Sequence, residues 1–191
     1  MDTFYLKNLS DVKNEYFDLL VNVLTHHMYN SFVNLYICSQ KIEENIKLKG
    51  AYSPEVKNPG VLKLFQRALQ DIRTFEETKI ITVAETIRNE SGCSEYFDNM
   101  VKCVIKSHII LLSFANYKRR KEILEKKYHE KIETKYFIYK CYLEAAVIFY
   151  DHPQLFLHNI SLYEIKMNQI KIMEYIKKAI KGAVMKSIPL A

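Results

Sequence analysis

The chain has 191 residues and a formal net charge of +6. Half of its residues are apolar (49%), and it holds only four Gly and four Pro. That length fits one domain with a sizeable core, and scarce breakers between long periodic segments point to helices. No run is apolar enough for a membrane span. The most apolar one, 101–115, is interrupted by Lys102, Lys106 and His108.

The first eleven residues lack the charged and apolar regions of a signal peptide, so an intracellular protein is expected. Cys38, Cys93, Cys103 and Cys141 form no CxxC pair and read as reduced thiols, mostly in core positions. The abundance of Lys, Ile, Asn and Tyr suits an AT-rich genome and says nothing of function.

In chain order, residues 10–48 read as one long helix or a collinear pair, capped by Ser10 or Asp11. Tyr16, Leu19, Leu20, Val23, Leu24 and His27 are expected on one face, continued by Met28, Phe32, Leu35, Tyr36, Ile42 and Ile46. Residues 50–60, with two Pro and two Gly, are the clearest loop and a candidate contact segment. The helical body spans 61–188. Its first helix, 60–73, buries Val61, Leu62, Phe65, Ala68, Leu69 and Ile72. Thr74-Phe-Glu-Glu77 reads as a capping box for a helix to about Asn89, which buries Ile80, Ala84 and Ile87.

Residues 91–116 form the longest apolar face and the expected centre of the fold. Phe97, Met100, Val101, Val104, Ile105, His108, Ile109 and Leu112 step round a helix pressed into a core, and Ser91 or Ser94 is the expected cap. Residues 117–135 carry a net charge of +4 on a helix with a thin apolar stripe. Residues 135–151 are apolar nearly all round and are expected to pack on the central helix. Pro153 suits the first position of a short helix through Phe156. Ser161-Leu-Tyr-Glu164 is a second capping box, opening a last helix over 162–187. That helix buries Ile165, Ile172, Ile176, Ala179, Ile180 and Val184, and residues 161–191 carry a net +4. The fold class is therefore all-α: an irregular bundle of about six or seven helices around a buried central one, in a single domain over 1–191.

No residue pattern names a catalytic site, a metal site or a cofactor. His26 and His27 point about 100° apart on a helix and do not chelate together. His108 reads as a buried, hydrogen-bonded histidine; a nucleophile pair with Cys103 or Cys141 would need an electropositive cleft. His152 and His158 read as loop histidines. GxGxxG, GxxxxGK[ST] and HExxH are absent. The basic clusters are the candidate site: Lys118, Arg119, Arg120 and Lys121 at one helix start, and Lys171, Lys178 and Lys181 as a stripe on the last helix. Either suits a polyanion, whether nucleic acid or an acidic protein surface.

Several blocks carry a resemblance. They are Leu62 to Gln66, Cys93 to Lys102 with Val104 to Leu112, Lys140 to Ala146 with Pro153 to Phe156, and Asn168 to Pro189. In that order they resemble a family of uncharacterised proteins encoded by nucleocytoplasmic large DNA viruses. The resemblance implies a helical fold and a viral context, with no catalytic residue to carry over. Within it, a non-enzymatic minor structural component of the virion is expected, residing in the virion or the host cytoplasm. Its expected partners are other viral structural proteins, with no membrane insertion. The alternative is a nucleic-acid-associated accessory protein in transcription or genome packaging.

Overall fold

The computed structural model describes residues 2–48, 60–115 and 132–187; side chains 2–6 and 112–115 are not described. All regular elements among them are helical: α1 (Asp2–Leu48), α2 (Val61–Asp71), α3 (Glu77–Glu90), α4 (Phe97–Ala115), α5 (Thr134–Asp151) and α6 (Leu162–Lys186). Short 3-10 turns follow α2 at Ile72–Thr74 and α5 at Pro153–Phe156. The all-α class stands. The loop expected at 50–60 (Gly60 apart) and most of 117–135 lie outside the described residues.

Residues 10–48 belong to one uninterrupted helix. Its core stripe is not the one its first turns suggest. Leu20, Leu24, Met28, Phe32 and Tyr36 are buried, whereas Tyr16 and Leu19 are exposed. At 100° per residue, Val12, Tyr16 and Leu19 fall on a second row, away from Leu24 and Met28. Two further expectations at helix starts are corrected. Thr74 does not cap α3; its hydroxyl donates to the Asp71 carbonyl at 2.9 Å and closes the 3-10 turn. The N-cap is Glu76, with no side-chain cap bond. α4 begins at Phe97, not at 91. Gly92, at φ +71°, turns the chain in a region that favours glycine. Ser91 serves that turn, donating to the Arg88 carbonyl at 2.7 Å and accepting from the Cys93 amide at 3.1 Å.

The chain divides into two compact units. The first comprises Met1–Leu24, Glu76–Cys141 and Ile180–Ala191. Its core is mainly aliphatic: Leu20 and Leu24 of α1, Ile80, Ala84 and Ile87 of α3, and Met100, Val101, Val104, Ile105 and Ile109 of α4. Phe97, Phe137 and Ile138 join them. Two ion pairs tie its elements. Arg88 Nη2 reaches both Asp98 oxygens at 3.1 and 3.0 Å. Lys135 Nζ donates to Glu77 Oε1 at 2.8 Å, where the Tyr136 hydroxyl also donates at 3.0 Å.

The second unit comprises Thr25–Phe75 and Tyr142–Ala179, and its core is aromatic. Phe149 meets Phe32 and Phe156 edge to face, with centroids 4.9 and 5.0 Å apart. Phe65 packs on Phe156 at 4.7 Å and on Tyr36 at 5.4 Å. Offset and edge geometries of this kind are the favourable ones for aromatic rings. Pro153 starts the 3-10 turn, as expected, and that turn delivers Leu155 and Phe156 to the core. Gln66 Nε2 donates to the Tyr150 carbonyl at 2.8 Å. α5 buries only part of its apolar surface: Val147 and Tyr150 stay exposed in this unit, as does Tyr136 in the first.

Candidate interaction surfaces

α6 starts as the sequence specifies. Ser161 Oγ accepts from the Glu164 amide at 3.2 Å, and Glu164 Oε2 accepts from the Ser161 amide at 3.0 Å and hydroxyl at 2.7 Å. These bonds hold the Glu164 carboxyl below its ordinary range, the Ser161 hydroxyl first and its amide second. The box fixes where α6 begins, and the apolar spacing sets which face turns inward. Ile172, Ile176, Ala179, Ile180 and Val184 are buried. The opposite face begins with Tyr163, Met167 and Ile170, all exposed, at i, i+4 and i+7. Tyr163 is 74% exposed and its neighbour Leu162 86%. Exposed Lys166 and Lys171 flank this row, and exposed Lys177 and Lys178 continue along the helix.

α1 carries a row of the same spacing in the first unit. Val12, Tyr16 and Leu19 are about 40% exposed. Asp11, Glu15 and Asp18 each precede one of them in sequence and are exposed, so the three carboxylates share one flank. The α1 row is thus acid-flanked and the α6 row lysine-flanked. Neither row was foreseen as a surface. Tyr16 and Leu19 look like core residues by periodicity alone, and the α6 row stands opposite the expected core stripe, among lysines.

The first unit also has a cleft of about 380 Å³, lined in part by Glu85, Arg88, Asp98, Lys102, Glu133 and Lys135. Its charges are largely matched in pairs: Arg88 holds Asp98, and Lys135 lies 3.5 Å from Glu133 besides binding Glu77. Arg88 Nε is buried with no hydrogen-bond partner among the described residues.

Of the polyanion candidates, Lys118, Arg119, Arg120 and Lys121 lie outside the described residues. Lys171 and Lys178 are exposed in the second unit, and Lys181 is exposed in the first. His26 is exposed and lies 3.3 Å from the Asn30 amide. His108 is half-buried. Its Nδ1–H donates to the Val104 carbonyl at 2.9 Å, and its ring meets Phe17 edge to face. Burial pushes its pKa down, with Lys13 and Lys181 acting the same way against the Val104 bond. Cys103 lies 3.9 Å from the Ser107 hydroxyl. Cys93 and Cys141 are buried, Cys103 is partly exposed and Cys38 exposed. His158 lies in a loop, as expected, where Tyr36 and Gln40 contact its ring at 3.2 and 2.8 Å. His152 stacks on Tyr175. Among the described residues no three His, Cys, Asp or Glu side chains converge as a metal site, and no helix is long and apolar enough to cross a membrane.

No curated protein and no solved structure matches this chain. The model of a family of unknown function (DUF5764) matches residues 6–157, and the protein belongs to that family.

Proposed function

We propose that this protein is a non-enzymatic interaction component. In the viral setting that the resemblance implies, it is a minor structural protein of the virion. The observation carrying this reading is the Val12–Tyr16–Leu19 row of α1, inside the family-matched residues. Single exposed apolar side chains are ordinary on a protein surface. Three in line on one helix face, at i, i+4 and i+7, match the way a helix docks on a partner. The flanking carboxylates favour a partner surface that is apolar at its centre and basic at its rim. Mass spectrometry of purified particles tests the reading: the protein is expected among their components, and its absence overturns the proposal.

A second reading is nucleic-acid association, favoured by exposed Lys171 and Lys178, two helical turns apart on α6. Binding of the full chain to duplex DNA across a salt series tests it. The Lys171→Glu, Lys178→Glu double variant is expected to weaken binding and flatten the log–log salt slope by about two, one for each lysine. Undetectable or salt-independent binding removes this reading.

A further inference from the structure

We infer that copies of this chain associate head to tail, the acid-flanked row of α1 in one copy docking on the lysine-flanked row of α6 in the next. This rests on reading the α1 row as an interaction surface and names what covers it. Both rows are exposed in the chain itself, so each has room for an occupant. Both repeat at i, i+4 and i+7, giving two apolar ridges about 10 Å long of the kind that pack helix on helix. Their flanks are opposite in sign. Asp11, Glu15 and Asp18 line one side of the α1 row, while Lys166 and Lys171 stand on the two sides of the α6 row.

The acids near the α6 row do not reverse this. Glu164 is held by Ser161, and Glu174 lies one turn beyond Ile170 among Lys171, Lys177 and Lys178. Sign also decides against the symmetric alternatives. Two α1 rows packed antiparallel would bring six carboxylates onto one side, and two α6 rows would oppose lysine to lysine; like charges across an interface are strongly unfavourable. The α1-to-α6 pairing removes both problems. Such a contact is heterologous. It leaves every open run of copies with one free row of each kind, at opposite ends, so association continues until a ring closes or a filament grows. One helix on one helix makes a small interface, below about 1,200 Å², so assembly should depend visibly on concentration.

Size-exclusion chromatography with light scattering on the full chain tests this. The mean mass is expected to pass that of a dimer as concentration rises, and to fall with added salt as the flanks are screened. Tyr16→Lys with Leu19→Lys blocks the α1 row; Met167→Glu with Ile170→Glu blocks the α6 row. All four positions are exposed, so each variant should keep the native circular dichroism spectrum. Each should associate about tenfold more weakly or worse. Mixing the two variants brings together one intact row of each kind and should yield a capped one-to-one dimer.

A native chain that stays monomeric at every concentration overturns the inference. So does a mixture that forms no dimer, or self-association that either variant leaves intact. A monomer whose α6 row instead binds phosphatidylserine vesicles or duplex DNA overturns it too, by giving that row another occupant. The two proposals fail separately. A monomeric protein still found in particles sinks head-to-tail assembly alone; an assembling protein absent from particles sinks the virion reading alone.

Discussion

At the scale of single residues, a buried hydroxyl and a half-buried imidazole set measurable expectations. Thr25 is 6% exposed, and its hydroxyl has no hydrogen-bond partner among the described residues. A buried hydroxyl loses its water without recompense. Thr25→Val keeps the branched shape and removes the oxygen. It should raise stability by about 1 kcal/mol, seen as a higher urea midpoint at unchanged slope. His108 sets a pH dependence. Its folded pKa lies below the ordinary histidine value, chiefly through burial. The unfolded chain therefore takes up a proton on this ring at a higher pH than the folded one does. Its contribution to stability is complete above about pH 6.5 and is lost as pH falls through the folded value. His108→Leu keeps an apolar contact for Phe17, and the Val104 carbonyl remains the acceptor of the helix's own i+4 amide. In that variant, urea midpoints measured from about pH 7 down to about pH 5 should fall less steeply than in the native chain.

At the scale of elements, the two capping-box sequences had opposite outcomes. Ser161 and Glu164 satisfy each other's amides and start α6. Ser161→Ala should cost about 1 kcal/mol, whereas Thr74→Ala should cost less, because its hydroxyl serves a carbonyl already in a 3-10 turn. Urea titration of the two variants side by side checks the contrast. The difference shows what was legible. Helix positions, the core faces of α4 and α6, and the proline-led turn before Phe156 follow from periodicity and from where Pro and Ser fall. The start of α4 does not, because Ser91 and Ser94 both read as caps and only the turn at Gly92 assigns Ser91 to the end of α3. The candidate surfaces were legible only in part. Lysine positions on α6 are plain in the sequence. Periodicity alone does not say which of two apolar rows on α1 faces inward, since Leu20 and Leu24 bury one row and leave Val12, Tyr16 and Leu19 outside.

At the scale of the whole molecule, net charge conceals an uneven distribution. The +6 total coexists with an acid flank on α1, so solution behaviour is set by which faces meet and not by the sum. The two units also differ in what fills them, mainly aliphatic side chains in one and edge-on and tilted aromatic rings in the other. The four cysteines are distributed over both units: Cys93, Cys103 and Cys141 in the first, Cys38 in the second. With Cys38 exposed, Cys103 partly so, and Cys93 and Cys141 buried, the protein carries its own clock for opening. A maleimide should tag Cys38 promptly and Cys103 more slowly. It should reach Cys93 and Cys141 only when the first unit's core opens to solvent. Counting added masses against time by intact mass spectrometry would then time the opening of that core without any engineered label.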